Sequence, residues 1–381
     1  MNAEQVMQSV EKYTQKYIDF LCDICAFEAR AKDIEVMNRL ADFIADFAKA
    51  EGFQVKRTPM EECGDFLTVE LNEGAPKGCF LLAHMDTVHD AGIFGEPAVR
   101  VEEDRIVGPG TIDCKGGIAI ALLVMKALQE NGVNKHVRLI LTSDEEVSNK
   151  MGGQKEIQFI KDSCQGFPYA INCEIAEEDQ AVISRKGILR YRLDIHGEGG
   201  HSGKHYFNCK NAVLEAAHKI IALHGKSEKG GTTYSCNIVN GGTALNVIPP
   251  ECSVSIDIRM VTTRDMLIAK QVVEEIAATD FVPGTTCDAV LLSERLPMER
   301  NAATDALFQK LLDTCHKHNL GSLTPIESGA GSDSCYTHAA GVASICGMGG
   351  CGEFCHTNKE YIRTDSVALR AKILSAFITE D

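Results

Sequence analysis

Short apolar segments with the character of β-strands alternate with helical segments in the first half of this chain. Strand-like runs occur at residues 79–83, 137–142 and 169–173, and a helical pattern at 117–130 separates the first two. A second helical pattern spans residues 34–50. This alternation is typical of an α/β domain, in which helices cover both faces of a mixed sheet.

The alternation of strand-like and helical segments changes between about residues 186 and 294. Three strand-like runs and two helical segments in this region predict a smaller two-layer α+β unit, with strands at 189–196, 232–239 and 252–260 and helices at 211–224 and 264–279. The earlier alternation then resumes with a helix at 304–316, a strand at 343–346 and a helix at 365–377. We therefore predict a main domain formed by residues 1–185 and 295–381, with an inserted domain at 186–294.

The charge balance argues against several partners. The chain has 38 Lys and Arg against 54 Asp and Glu, a formal charge of −16, which repels nucleic acid and anionic lipid. Its longest apolar run, residues 118–125, is far shorter than the roughly 20 residues of a membrane-spanning helix. No basic segment precedes an apolar stretch near residue 1, so we expect a cytoplasmic protein whose sixteen cysteines are reduced thiols.

Polar side chains follow the predicted strands or lie in tight loops, and ligands of open α/β sheets bind at such strand ends. Each residue alone has a structural explanation, such as loop or helix capping. Together, two histidines and several carboxylates form a donor set suited to metal-assisted hydrolysis. These residues are His84, Asp86, Asp113, Glu145, Glu146, Glu174 and His356.

The Gly-rich turn at residues 108–117 has an alternative interpretation as a phosphate-binding loop. It lacks the G-x-x-x-x-G-K-[ST] spacing, and its Asp113 would repel a phosphate. The hypothesis of a nucleotide-binding α/β protein is therefore supported by the Gly-rich turns alone.

Four motifs occur in a characteristic order. They are His-Met-Asp-Thr-Val at 84–88, the Gly-rich segment at 108–117, Asp-Glu-Glu at 144–146 and Gly-Ala-Gly-Ser-Asp at 329–333. Together they resemble the co-catalytic zinc metallopeptidase family that contains glutamate carboxypeptidase of the carboxypeptidase G type, acetylornithine deacetylase and succinyl-diaminopimelate desuccinylase. The resemblance covers nearly the whole chain, the inserted domain included.

The resemblance implies a pair of zinc ions, with Co²⁺ or Mn²⁺ as alternatives. The implied metal ligands are His84, Asp113, Glu146, Glu174 and His356. Asp113 would bridge the two ions, Glu145 would act as general base, and Asp86 would hold the His84 ring. The family also predicts a cis peptide bond between Asp113 and Cys114.

A charge count is consistent with this set. Two divalent ions carry four positive charges, and Asp113, Glu146 and Glu174 supply three negative ones. The remaining positive charge favours the ionised form of a bridging water near pH 7.

Three cysteines, Cys114, Cys173 and Cys355, stand next to implied ligands. Zinc ligation by a thiolate is one interpretation of these cysteines. Because the carboxylate and imidazole set is already complete, packing as small apolar groups is the favoured one.

For the inserted domain, the resemblance implies a dimerisation surface and part of the substrate site. His201 would reach the active site of the partner subunit and stabilise the tetrahedral oxyanion. Asn246, Arg259 and Gly331 would bind substrate, and the guanidinium fork of Arg259 suits a terminal carboxylate. Taken singly, each residue has a structural explanation, as a surface, turn or edge-strand residue.

These expectations lead to a homodimeric dizinc hydrolase that cleaves an amide bond next to a free carboxylate. Its substrate would be a small peptide, in a C-terminal exopeptidase of the glutamate carboxypeptidase type, or an N-acyl amino acid, in a deacylase. Both chemistries use every residue named above. An inactive protein that captures amino-acid derivatives is a third hypothesis, but neither Glu145 nor any implied ligand is missing.

Overall fold

The computed structural model describes residues 2–175, 177 and 179–381, which form two compact units. Unit 1 contains the described residues up to Ser184 together with Arg300–Glu327 and Ser332–Asp381, and unit 2 contains Arg185–Glu299 and Ser328–Gly331. The sequence-based division instead ended the insertion at residue 294. Unit 2 extends further because Arg185 and Met298 exchange backbone hydrogen bonds of 2.9 and 3.0 Å.

Among the helices of the described residues, four begin at a side chain that caps them. Asn211, for example, accepts hydrogen bonds from the backbone N–H groups of Val213 and Leu214, and Asn301 and Thr262 cap later helices in the same way. In chain order the helices are α1 Ala3–Cys25, α2 Ile34–Ala50, α3 Gly116–Glu130, α4 Gly153–Ser163, α5 Ala212–His224, α6 Thr263–Ala278, α7 Ala302–Lys317, α8 Ser334–Ala339 and α9 Thr364–Glu380.

The strands of the described residues are mostly short. In chain order they are β1 Gln54–Thr58, β2 Phe66–Leu71, β3 Lys77–His84, β4 Arg100–Val101, β5 Arg105–Val107, β6 His136–Thr142, β7 Tyr169–Asn172, β8 Gln180–Arg185, β9 Gly187–His196, β10 Gly200–His201, β11 Thr233–Gly241, β12 Val247–Ile248, β13 Glu251–Met260, β14 Thr286–Arg295, β15 Thr324–Ser328, β16 Ala343–Ile345, β17 Gly352–Glu353 and β18 Tyr361–Arg363.

Unit 1 is built on a mixed six-stranded sheet with the order β1-β2-β6-β3-β7-β16. Leu81 and Ala83 of β3 join the apolar cluster that α1, α2, α3 and α9 form on one face. On the other face the ring of Phe80 packs against Phe167, and Phe66 of β2 packs against Phe159 of α4. Helices therefore cover both faces, which confirms the predicted α/β class.

The register of the parallel strands brings the ends of three strands to one edge of this sheet. In the β3–β6 pair His84 lies opposite Thr142, and in the β3–β7 pair Leu82 lies opposite Asn172. The residues that follow these positions, among them Glu145, Glu146 and Glu174, consequently lie close to His84. Among the described helices, none combines the length and apolar character needed to cross a bilayer.

Unit 2 has two layers. Its four-stranded antiparallel sheet has the order β11-β13-β9-β14, and α5 and α6 pack on one face. Along β9 the buried Leu189 and Leu193 face the helices, whereas Arg190 and Arg192 point away from them. The predicted α+β architecture of the insertion matches this arrangement.

Candidate metal centre

Asp113 lies in an irregular helical turn, Thr111–Lys115, directly before α3. The peptide bond between Asp113 and Cys114 is cis, as predicted. Behind the turn the chains pack tightly, since a Cβ atom added at Gly117 would lie 2.0 Å from the carbonyl oxygen of Cys173. Glycine at this position therefore lets the turn approach the end of β7.

A buried carboxylate holds the backbone of this turn. Glu360 is fully buried, and its Oε1 accepts hydrogen bonds from the N–H groups of Ile112 at 3.0 Å and Asp113 at 3.2 Å. Its Oε2 lies 2.6 Å from Nε2 of His89. Sequence reasoning missed Glu360 and His89. The available signal was a glutamate four residues after His356.

The carboxylate of Asp113 lies between two histidines. Its Oδ1 is 3.1 Å from Nε2 of His84, and its Oδ2 is 3.1 Å from Nε2 of His356. Glu174 Oε1 lies 3.6 Å from the same His84 nitrogen, and Glu146 Oε2 lies 3.3 Å from the His356 nitrogen. The structure thus brings together all five side chains that the resemblance implies as metal ligands.

These spacings are those expected of donor atoms around metal ions. Zinc bonds to nitrogen and oxygen are about 2.0–2.1 Å long, so neighbouring donors in a tetrahedral site lie about 3.3 Å apart. The observed separations of 3.1 to 3.6 Å fall around this value. One side of the cluster is closed by the buried His84, whereas His356 is half exposed.

The protonation and hydrogen bonding of Glu146 also fit a cation at this position. Burial and the charge of Asp113 raise the pKa of Glu146 to about 8. The Oε1 atom of Glu146 is buried without a hydrogen-bond partner among the described residues. A cation next to this oxygen would satisfy it and favour the ionised carboxylate. The residues present therefore fit a metal centre.

The carboxylate of Asp86 contacts both the His84 ring and the backbone of Glu145 and Glu146. Its Oδ1 lies 3.3 Å from Nδ1 of His84, which is also 3.0 Å from the Asp86 carbonyl oxygen. The same carboxylate accepts the backbone N–H groups of Glu145 at 3.3 Å and Glu146 at 3.0 Å. These two glutamates begin a 3₁₀ turn, Glu145–Val147, and each carboxylate lies within 4.8 Å of a donor atom of His84.

In unit 2, His201 and Asn246 belong to adjacent segments. His201 pairs with Val247 across the β10–β12 ladder, and the N–H of Ser202 donates to the Asn246 carbonyl oxygen at 3.0 Å. The His201 ring is exposed, and its Nδ1 accepts the N–H of Gly203 at 3.2 Å. Because Nδ1 accepts, the proton of the neutral ring lies on Nε2, where it is available to an acceptor.

Arg259 lies beside the loop that contains Gly331. Its guanidinium forms two hydrogen bonds to Asp257, of 2.6 and 3.1 Å, and a third of 3.3 Å to the carbonyl oxygen of Gly329. Asp257 also accepts from Arg190 at 3.2 Å. Two guanidinium groups therefore share one carboxylate, which leaves a net positive charge at this position.

A comparison with known sequences decides the family. A sequence model described as "Peptidase family M20/M25/M40" matches residues 80–380. The chain belongs to this family. Peptidases of the M20 family are metal-dependent, and the protein is accordingly a hydrolase.

Individual M20 relatives are distant in sequence. The chain is 25% identical to carboxypeptidase G2 of Pseudomonas sp. (strain RS-16) over 93% of its own length and 86% of that protein. It is 28% identical to succinyl-diaminopimelate desuccinylase of Rickettsia felis, over 68% of this chain and 72% of that enzyme. By name, the first relative is a carboxypeptidase and the second a desuccinylase.

Solved structures show the same fold. The aminopeptidase PepT of Bacillus cereus superposes with a TM-score of 0.80 at 19% identity, covering 96% of this chain and 98% of that one. At this identity the likeness establishes the M20 fold and leaves the substrate open.

Proposed function

We propose that the protein is a dizinc amidohydrolase that removes a C-terminal residue from a small peptide, cleaving the amide bond next to a free carboxylate. The observation that carries the proposal is the placement of Asp113, whose two oxygens each face a different histidine at 3.1 Å. Similarity to carboxypeptidase G2 supports a C-terminal exopeptidase.

Five side chains would hold the two ions. Asp113 would be shared, with His84 and Glu174 on one side and Glu146 and His356 on the other. When bound, divalent cations of this kind lower the pKa of water towards about 7 and polarise a carbonyl group. Zinc is the expected ion because imidazole and carboxylate donors suit it, and Co²⁺ or Mn²⁺ are alternatives.

Glu145 would move the proton. Its carboxylate is buried and lies within 4.8 Å of donor atoms of His84 and Glu174. From there it would accept the proton of the attacking water and later deliver it to the leaving amide nitrogen. Asp86, which holds the N–H of Glu145, would keep this carboxylate in position.

Residues of unit 2 would recognise the substrate. The Nε2–H of His201 would donate to the oxyanion that forms on the scissile carbonyl, which the observed hydrogen bond at Nδ1 supports. The net positive charge around Arg259 supports binding of the substrate carboxylate. Asn246 and the backbone of Gly331 would complete this site.

Unit 2 would also form the homodimer. Strand β11 is at the edge of its sheet, so its outer backbone groups are open to pairing. Large apolar side chains are exposed nearby, including Ile221 of α5 at 70% and Ile238 of β11 at 56%. A second copy of this chain would bury both features.

An N-acyl-amino-acid deacylase is the second candidate, and the similarity to succinyl-diaminopimelate desuccinylase favours it. Both reactions hydrolyse an amide next to a carboxylate, so the metal ligands and Glu145 would serve either one. The two differ on the acyl side of the scissile bond, which is a peptidyl or folyl group in the first reaction and a small acyl group such as succinyl in the second.

The discriminating experiment is a substrate panel. Dipeptides, folyl-glutamates and N-acyl amino acids are assayed with zinc added and again after chelation. We expect metal-dependent release of an amino acid from one class. Glu145→Gln should lower kcat by roughly 10²–10⁴-fold at unchanged metal content, since it removes the proton acceptor. Glu103→Gln, at an exposed position, is the control. Unchanged turnover in Glu145→Gln would disprove the role of the base.

Mixed dimers test whether His201 acts across the dimer. Glu145→Gln and His201→Ala homodimers should each be nearly inactive. After the two are mixed and allowed to exchange subunits, a site in trans combines the intact Glu145 of one chain with the intact His201 of the other. Recovery of activity is the expected result. Its absence, with mixed dimers demonstrated by mass spectrometry, would show that His201 does not act in trans.

A further inference from the structure

Two of the cysteines beside the proposed metal ligands, Cys114 and Cys355, direct their thiols at different acceptors. The thiol of Cys114 donates to the carbonyl oxygen of Cys173 at 3.2 Å, so it is occupied away from the carboxylates. Cys355 instead places its Sγ 3.1 Å from Oδ2 of Asp113. This is the same oxygen that lies 3.1 Å from Nε2 of His356.

The surroundings of Cys355 are those of a cation site. One donor atom from each of Asp113, Cys355 and His356 lies within 4.8 Å of the other two. Glu146, whose Oε2 lies 3.3 Å from His356, has a second oxygen that is buried and without a partner among the described residues. This oxygen is an independent indication that a positive ion belongs on the His356 side of Asp113.

The backbone around Cys355 is specialised. Phe354 and His356, on either side of it, have φ angles of 61° and 62°, in the left-handed region that residues other than glycine seldom adopt. The paired left-handed residues allow Cys355 and His356, although adjacent in sequence, to direct Sγ and Nε2 at one carboxylate oxygen. On a regular strand two neighbouring side chains would point to opposite faces.

We propose that Cys355 is a direct thiolate ligand of the metal ion on the His356 side of Asp113. The inference rests on the proposed dinuclear centre and adds a sixth protein ligand to it. As the sulfur–metal bond forms, the thiol proton passes to the solvent.

A thiolate also changes which ions this side of the centre prefers. Soft sulfur ligands favour zinc, whereas carboxylate and water ligands suit manganese and magnesium. The His356 side should therefore discriminate against Mn²⁺, and the Cys355→Ser variant, which retains an oxygen donor, should bind zinc at least tenfold more weakly and discriminate less.

X-ray absorption at the zinc edge tests the proposal on the unmodified protein. With two zinc ions bound, we expect a sulfur scatterer at about 2.3 Å with an average of one sulfur for every two zinc ions. Two bound ions surrounded by nitrogen and oxygen alone would overturn the thiolate ligand while leaving the dizinc hydrolase intact. Absence of stoichiometric metal binding would overturn both.

Cobalt substitution identifies the sulfur. The Co²⁺ protein should show a near-ultraviolet thiolate-to-cobalt charge-transfer band that Cys355→Ser abolishes. Cys114→Ala, which removes a thiol equally close in sequence to Asp113 but oriented away from it, should keep the band. A band that survives in Cys355→Ser, or that disappears only in Cys114→Ala, would contradict the assignment.

Discussion

A buried glutamate of α4 should make the stability of the protein depend on pH. Glu156 of α4 is fully buried, and neither carboxyl oxygen has a hydrogen-bond partner among the described residues. Burial and the neighbouring carboxylate of Asp144 raise the pKa of Glu156 well above its usual value. Asp144, which precedes Glu145, itself accepts the N–H groups of Met151 and Gly152.

The sign of the effect follows from proton binding. Glu156 remains protonated in the folded protein, because its pKa is raised well above the ordinary value of 4.5 at which it ionises in the unfolded chain. Its stabilising contribution is therefore fully present below that pH and declines as the pH rises towards the folded pKa. For one proton the free energy of unfolding falls by about 1.4 kcal/mol per pH unit.

The test is Glu156→Gln, a neutral side chain of the same shape that does not ionise. Thermal unfolding is followed from pH 5 to pH 8 for both proteins with saturating zinc. With about 2 °C per kcal/mol for a domain of this size, the variant should gain roughly 3 °C over the wild type for each pH unit. Asp162→Asn, on the exposed side of the same helix, should show no such trend. A difference in Tm between Glu156→Gln and wild type that stays constant from pH 5 to pH 8 would refute the assignment of the pH dependence to Glu156.

Three further predictions concern the centre and the dimer. Asp86→Ala should destabilise the protein by about 2–6 kcal/mol, because two buried N–H groups lose their acceptor. It should also weaken zinc binding 10–100-fold, as measured by chelator competition. A loss of less than about 0.5 kcal/mol in the free energy of unfolding, measured by denaturation, would contradict the first expectation. Zinc at 100 times its dissociation constant should stabilise the protein by about 2.7 kcal/mol for each ion bound, seen as a rise in Tm that Asp113→Ala abolishes. Ile221→Asp should disrupt the proposed dimer and give a monomer in light scattering, whereas a dimer that persists in this variant would exclude this face of α5 from the interface.

The sequence predicted the centre of the fold better than its edges. The predicted helix at 34–50 coincides with α2, and the predicted strands at 79–83 and 137–142 lie within β3 and β6. These strands are buried on both faces, so an unbroken apolar run identifies them. Strand β14 was not predicted because it lies at the edge of its sheet, is half exposed and has a register shift between Leu291 and Ser293.

At the candidate metal centre, too, the sequence predicted only part of the arrangement. Local motifs identified side chains that the structure does bring together around Asp113, because each motif follows a strand that ends at the same edge. The hydrogen bonds that hold these motifs join distant positions, such as Glu360 to the N–H of Asp113 and Asp86 to the N–H of Glu146. The orientation of Cys355 depends on backbone angles that composition and spacing do not reveal.

The central claim is that Asp113 lies between two metal ions. Crystals of the zinc-loaded protein, measured on both sides of the zinc absorption edge, test it directly through the anomalous difference map. The account predicts two peaks, one near each oxygen of Asp113, with His84 beside the first and His356 beside the second. A single peak, or peaks away from Asp113, would contradict it.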